Sequence, residues 1–198
     1  MEVRELPCGL RWEIEPASWR SDGDLVTVVA AGQTDTFIDP AGSMVALNSA
    51  RALAVAPRPP WQFSARVGVE FRATFDAGVL LLWSDDRHFA KLCFERSPQG
   101  SGTVVSVVTR GRSDDANAWT VDGASVWLRI SGLAEGVYAF HSSDDGRRWE
   151  LVRYFELAGS GPMKVGIAAQ SPTGEGCTVT FAGFSLAETR LADLRDGS

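Results

Sequence analysis

The stretch Trp61–Arg72 (WQFSARVGVEFR) shows which class of fold this chain adopts. Apolar side chains occupy alternate positions from Trp61 to Phe71, and most positions between them are polar. Because successive side chains of a strand point to opposite faces of a sheet, this period of two predicts a strand with one buried and one wet face. Antiparallel sheets have faces of this kind, so the stretch favours an all-β fold.

Similar short segments recur along the chain with turn-forming residues between them. They are Leu10–Ile14, Leu25–Ala30, Ala52–Ala56, Gly78–Trp83, His88–Glu95, Thr103–Thr109, Ser125–Ser131, Gly136–Ser142, Trp149–Glu156, Met163–Gln170 and Cys177–Leu186. About a dozen strands at this spacing predict a sandwich or a barrel. We expect one domain over residues 1–187 and a polar C-terminal tail, residues 188–198, that forms a helical turn or frays.

Composition and charge exclude several classes of function. The formal net charge is −6 without a basic stripe, which argues against nucleic acid and anionic membranes as partners. No apolar run approaches the roughly 20 residues of a membrane span, and no signal-peptide pattern occurs, so the sequence predicts a cytoplasmic protein. Cys8, Cys93 and Cys177 are too widely spaced for a disulfide framework or a zinc site. We therefore expect free thiols, no metal and no cofactor.

Several segments together carry a resemblance to a known family. They are Thr34-Asp35, Phe75–Leu80 (FDAGVL), His88–Glu95 (HFAKLCFE), Val107–Thr109 with Ser113-Asp114, Trp127–Arg129 (WLR), Ser143–Trp149 (SDDGRRW) and Ser171–Gly176 (SPTGEG). In this order they resemble the domain of unknown function 1349 family, which is related to the C-terminal domain of β-xylosidases. The resemblance implies a concanavalin A-like fold, a jelly-roll sandwich of two antiparallel sheets. Asp115 departs from the family pattern, which has Trp there.

The resemblance also implies a concave sheet face on which ligands lie. Alternation about the core positions leaves polar or flat side chains pointing outward, among small residues such as Ala139, Gly166 and Ala168. We expect these residues to share one face and bind a ligand: Lys91, Glu95, Trp127, Arg129, His141 and Gln170. The polar loop Arg110–Trp119 is expected to rim that face with Ser113, Asp114 and Trp119. The alternative is a cross-strand charge network on a solvated face.

The segment Ser142–Trp149 fits the pattern S-x-D-x-G-x-x-W, which resembles the Asp box of sialidases. Its chemistry is that of a turn, and we expect a structural role. Asp144 is expected to accept backbone hydrogen bonds, Gly146 to take a positive φ, and Trp149 to pack beneath.

The preferred hypothesis for function is a non-catalytic, lectin-like module that binds carbohydrate on the concave face. A protein-interaction or regulatory domain that uses the same face is the alternative. A third hypothesis is a glycoside-active enzyme whose second carboxylate comes from a loop, at Asp114 or Asp115. Glycosidases need two carboxyl groups roughly 5–10 Å apart, and Glu95 is the only carboxylate on its strand. The sequence therefore assigns no catalytic residue.

Overall fold

Alternating and wholly apolar segments form two antiparallel sheets in the computed structural model, which describes residues 6–198. A 3-10 turn, Pro7–Gly9, precedes sixteen strands. They are β1 (Arg11–Ile14), β2 (Ser18–Asp22), β3 (Leu25–Ala31), β4 (Thr36–Ile38), β5 (Val45–Leu47), β6 (Ala50–Val55), β7 (Trp61–Glu70), β8 (Ala77–Asp85), β9 (His88–Arg96), β10 (Gly102–Arg110), β11 (Ser113–Thr120), β12 (Ser125–Ala134), β13 (Val137–Ser143), β14 (Glu150–Glu156), β15 (Lys164–Gln170) and β16 (Gly176–Ala187). The expected all-β jelly-roll sandwich is confirmed. Residues 1–5 of the expected domain lie outside the described residues.

Two seven-stranded sheets build the sandwich. The front sheet has the order β1-β6-β15-β8-β9-β10-β11, and the back sheet has the order β14-β13-β12-β7-β16-β3-β2. Strands β4 and β5 form a separate hairpin. All recorded pairings in the three sheets are antiparallel.

The core lies between the sheets, where the inward side chains of both meet. Phe63, Leu92, Leu128 and Phe181 are fully buried there. Burying a side chain of this size contributes about 1.5–3 kcal/mol. The alternation seen in Trp61–Arg72 therefore identified a real core face, with Phe63, Ala65 and Val67 inward.

The β4–β5 hairpin packs on the outer face of the front sheet. It forms a second apolar cluster in which Ile38 meets front-sheet residues such as Leu81 and Val105. The hydroxyl of Ser113 accepts a hydrogen bond from the backbone N–H of Ile38 at 3.0 Å, which ties the hairpin to β11. Because the hairpin covers this face, β8 is apolar on both sides.

Sequence patterning missed the most polar strands. Most of the expected loop Arg110–Trp119 belongs to the edge strand β11, Ser113–Thr120, which pairs with β10. Edge strands are commonly polar, because charged side chains oppose pairing with another chain. The tail forms a turn, one of the two expected outcomes: the N–H of Gly197 donates to the carbonyl oxygen of Asp193 at 3.1 Å. Leu191 is buried, and the segment lies against the back sheet through contacts described below.

Candidate functional site

A cavity of about 570 Å³ opens on the outer face of the front sheet, beside the β4–β5 hairpin. Outward side chains of β9, β10 and β11 line it, together with the end of β15. Apolar side chains stand around them: Phe37, Met44, Phe75, Pro98 and Pro172. The site is thus a polar pocket with an apolar rim, which is a common form for small-molecule sites.

Lys91 is buried in this cavity, and its positive charge is paired with a carboxylate. Its Nζ donates to Oδ1 of Asp35 and to Oε1 of Gln170, both at 3.1 Å. Asp35 is oriented by its own loop, because the same Oδ1 accepts the N–H of Thr36 at 2.7 Å and Oδ1 of Asn48 accepts the N–H of Asp35. Burial is the largest single influence and lowers the pKa of Lys91, but the negative charge of Asp35, its hydrogen bond and smaller contributions from Cys93 and Glu95 together raise it. Lys91 is therefore a cation at neutral pH.

Glu95 lies on the same face of β9 as Lys91 and is mostly buried. Its carboxyl group has no hydrogen bond or ion pair within residues 6–198. Burial raises the pKa of Glu95 to about 8, although the charge of Lys91 opposes the change. The carboxyl group is therefore largely neutral at pH 7. An unpartnered polar group that faces a cavity is free to bind a ligand.

The edge strand β11 supplies the wall on the far side. Asp115 pairs with Val107 in register, and Val107 pairs with Lys91, so these three side chains lie in one row across the sheet. Burial raises the pKa of Asp115 above its usual range, with Lys91 opposing the change. Asn117 lines the same wall. Carboxyl and amide groups thus face the cavity from two strands.

Phe75 stands on the rim in a strained backbone conformation. Its φ is +69°, in the left-handed region that bulky residues rarely adopt, and 37% of the residue is exposed. The buried carboxylate of Asp76 holds the turn, accepting the N–H groups of Arg72 and Ala73 and the hydroxyl of Ser171. Such strain costs about 1–3 kcal/mol and is concentrated at ligand clamps. The turn presents an aromatic ring to the cavity mouth.

The six side chains expected to share one face lie on two. Lys91, Glu95 and Gln170 come together in the front cavity. Trp127, Arg129 and His141 lie on β12 and β13, in the back sheet. The expectation of one shared surface is therefore wrong. Alternation correctly identified the outward positions of each strand, but it carries no information on which sheet a strand joins.

The back-sheet residues are not open to a ligand as the structure stands. The indole of Trp127 lies against two glycines with positive φ: a Cβ on Gly146 would be 2.9 Å from the ring, and one on Gly183 would be 2.4 Å from it. Arg129 and His141 are buried beneath the C-terminal segment. These three residues do not form the expected sugar face.

The expected rim residues are also placed differently. Ser113 is buried and anchors β4, as described above. Asp114 forms an ion pair with Arg153 of the back sheet at 3.0 Å, so it bridges an edge of the sandwich. Trp119 packs against the core and lines a different, mainly polar cavity. The rim role on β11 belongs to Asp115 and Asn117, because only alternate residues of a strand face the cavity.

The Asp-box hairpin is a turn, as expected, but another aspartate caps it. Oδ1 of Asp145 accepts the backbone N–H groups of Arg147 and Arg148, each at 2.8 Å. Gly146 has the expected positive φ of +73°. The indole that packs against the turn is that of Trp127, beside Gly146, whereas the ring of Trp149 lies under the guanidinium of Arg129 at 4.1 Å.

Sequence reasoning missed several cavity residues. Two of them lie in segments that carried the family resemblance: Asp35 in the Thr34-Asp35 pair, and Phe75 at the start of FDAGVL. No sequence pattern pointed to Phe37 and Met44, because they reach the cavity only through the fold of the β4–β5 hairpin.

No cluster of three metal-ligating side chains occurs in residues 6–198. Over the same range, no helix is long and apolar enough to cross a membrane.

Residues 12–189 match the family described as protein of unknown function (DUF1349). The chain belongs to this family. Over 127 residues it is 32% identical to Regulation of enolase protein 1 from Saccharomyces cerevisiae. That match spans 63% of this chain and 63% of the length of the yeast protein. The resemblance read from the sequence motifs is thus confirmed.

Solved structures extend the likeness of this DUF1349 chain at the level of the fold. A functionally unknown protein from Saccharomyces cerevisiae superposes with a TM-score of 0.80 at 25% identity, over 90% of this chain and 95% of that one. The GH43 BlXynB protein from Bacillus licheniformis has a TM-score of 0.72 at 14% identity, over 90% of this chain and 37% of that one. The carbohydrate-binding module CBM66 from Bacillus subtilis has a TM-score of 0.56 at 11% identity, over 89% and 94%.

Proposed function

We propose that this DUF1349 chain binds a small carbohydrate in the front cavity and does not transform it. The observation that carries the proposal is the unpartnered carboxyl group of Glu95 beside the buried cation of Lys91, beneath an exposed aromatic rim. Sugars need this combination, because their hydroxyls require directed hydrogen bonds and their C–H faces pack on aromatic rings. A carbohydrate-binding module among the structural neighbours supports the proposal.

The cavity chemistry matches a neutral sugar in detail. Glu95, neutral at pH 7, both donates and accepts hydrogen bonds, while Asp115 and Asn117 add acceptors and a donor. The ring of Phe75 offers the flat apolar surface. A cavity of about 570 Å³ accommodates a ligand of one or two sugar rings. A cytoplasmic location is part of this proposal and favours a small sugar over a polysaccharide.

The test is a thermal-shift screen of neutral mono- and disaccharides, followed by calorimetry on those that raise the melting temperature. We expect Glu95→Ala and Phe75→Ala to weaken binding at least about tenfold, since each removes one of the two contact types. Tyr154→Ala is the matched control. Tyr154 is an aromatic residue 57% exposed on β14, in the back sheet, so its loss should leave affinity unchanged.

Two results would overturn the proposal. One is a screen in which no sugar binds a folded protein, and the other is unaltered binding by both cavity variants. Nitrophenyl glycosides belong in the same screen. If the protein releases nitrophenol from these glycosides, and Glu95→Gln or Asp115→Asn abolishes the release, the cavity belongs to a glycoside-active enzyme instead.

A protein-binding role is the second candidate, and the β4–β5 hairpin favours it. Met44 and Val45 are exposed apolar residues, at 45% and 66%, next to the cavity mouth. The yeast relative bears the name Regulation of enolase protein 1, so purified enolase is the probe of choice. We expect Val45→Asp to abolish enolase binding in biolayer interferometry if this candidate is right. Equal binding by wild type and variant, or none by either, contradicts it.

A further inference from the structure

A second cluster of polar side chains lies on the opposite surface of the molecule, on the outer face of the back sheet. Arg129 of β12 and His141 of β13 are direct partners in the antiparallel register, so their side chains lie side by side. Both are buried, with 6% and 0% exposed. Residues 191–198 cover them.

Arg129 is a buried cation that has no counter-ion among residues 6–198. Its Nη2 donates to the carbonyl oxygen of Gly197 at 2.5 Å, and its guanidinium lies over Trp149. Its Nε has no hydrogen-bond partner, and no carboxylate in residues 6–198 forms an ion pair with it. A buried charge is costly unless it is paired. Arg129 therefore keeps a buried N–H donor at Nε that an anion could use.

His141 also has an unpartnered nitrogen. Its Nε2 donates to the carbonyl oxygen of Leu194 at 2.8 Å, and its buried Nδ1 has no hydrogen-bond partner in residues 6–198. If His141 is protonated, Nδ1 becomes a donor beside Arg129. Nε of Arg129 thus lacks an acceptor, and Nδ1 of His141 lacks one once the ring is protonated, so that one oxyanion can then serve both.

The covering segment occupies this place with weak substitutes for an anion. It offers backbone carbonyls, while its own carboxylates are used within the segment: Asp193 accepts the N–H of Arg195, and Asp196 accepts the N–H of Ser198. Gly197 makes the closest approach, with φ at +68°. A Cβ there would lie 2.3 Å from Nη2 of Arg129 and 2.7 Å from Cβ of Trp149. A larger residue at position 197 cannot dock in this way.

We propose that Arg129, His141 and Trp149 form a binding site for an oxyanion, either a carboxylate or a phosphate, and that residues 191–198 are its displaceable cover. The anion takes the place of the Gly197 carbonyl on Arg129. Cover and anion compete for one position, so binding of the anion releases the segment, and loss of the segment strengthens binding. This site is independent of the front cavity.

The test uses Gly197→Val, which prevents the cover from docking, and inorganic phosphate or acetate as the probe. Binding is followed by the side-chain NMR signals of His141 and of Arg129 Nε, at constant ionic strength maintained with sodium chloride. We expect Gly197→Val to bind a probe at least about tenfold more tightly than wild type. Phosphate binding without acetate binding would assign the site to phosphate, and the reverse to carboxylates.

Two controls make the result decisive. Gly23→Val introduces the same strain at a positive φ of +60° where a Cβ meets nothing within 4 Å, so it should bind like wild type. Arg129→Gln in the Gly197→Val background should abolish binding. If Gly197→Val proves unstable, Gly197→Ala replaces it, since its Cβ alone would lie 2.3 Å from Nη2 of Arg129. A folded protein with an undocked cover that binds neither anion, or that binds equally well without Arg129, overturns the proposal.

Discussion

At the scale of single residues, Glu95 shows how the surroundings of a carboxyl group change its pKa. Lys91, on the same face of the same strand, has Asp35 and Gln170 as partners, whereas Glu95 has none within residues 6–198. Burial therefore outweighs the opposing charge of Lys91, and the pKa of Glu95 rises to about 8. A surface strand would leave such a group ionised at neutral pH.

The raised pKa of Glu95 makes stability depend on pH. The folded state holds its proton up to about pH 8, while the unfolded chain releases it near 4.5, so stability falls as the pH rises through this window. Glu95→Gln imitates the neutral acid and should remove this fall. In urea unfolding between pH 4.5 and pH 9 we expect wild type to lose a few kcal/mol relative to the variant, at most about 5 kcal/mol. If the free energy of unfolding of both proteins depends on pH in the same way, the raised pKa does not belong to Glu95.

The hairpin after β13 separates the roles of two neighbouring aspartates. Backbone N–H groups of Arg148 and Arg147 donate to Asp145 and hold the pKa of its carboxyl group below the usual range. No hydrogen bond is recorded for Asp144 within residues 6–198. We expect Asp145→Ala to lower the melting temperature and Asp144→Ala, the matched control, to leave it unchanged. A lower melting temperature for Asp144→Ala alone would reverse the assignment.

At the scale of elements, two peripheral segments decide which sheet surfaces are open. The β4–β5 hairpin covers part of the front sheet and leaves a cavity beside it, whereas residues 191–198 close the face over Arg129 and His141. Neither segment has the length or the apolar content of a core strand. Both are held by a few specific contacts, including the Ser113 hydroxyl for the hairpin.

Docking of residues 191–198 should weaken in acid. Burial lowers the pKa of His141 to about 4, helped by the charge of Arg129, while the Leu194 carbonyl and Asp196 oppose the change. An exposed histidine takes up its proton near 6.5, so the docked state loses stability as the pH falls from about 6.5 to 4. Hydrogen exchange at the amides of Ala192 and Gly197, relative to global unfolding, measures this. His141→Gln should abolish the pH dependence, and its persistence would exclude His141 as the cause.

At the scale of the whole molecule, the sandwich has two outer surfaces with separate chemistry. Lys91 and Glu95 belong to the front surface, and Trp127 and Arg129 belong to the back one. The core between them consists of apolar side chains from both sheets. Substitutions on the two surfaces share no partners, so their effects should add.

Trp127→Leu tests this separation. It removes packing against Gly146 and Gly183, and because the indole is half-buried we expect a loss of about 2 kcal/mol in stability. Binding in the front cavity should be unaffected, and the stability cost should add to that of Phe75→Ala. A loss of sugar affinity in folded Trp127→Leu would show that the two surfaces are coupled.

The sequence by itself determined the fold class, the core faces and the outward positions of the strands, because alternation in segments such as Trp61–Arg72 is a local property of each strand. It also identified Lys91, Glu95 and Gln170 as outward residues. Only the tertiary structure decided that Arg129 lies on the opposite surface, because sheet membership depends on pairing between segments far apart in the chain. The same reason applies to Asp35 and Phe37: a short hairpin with little pattern of its own reaches the cavity through contacts that no local periodicity encodes.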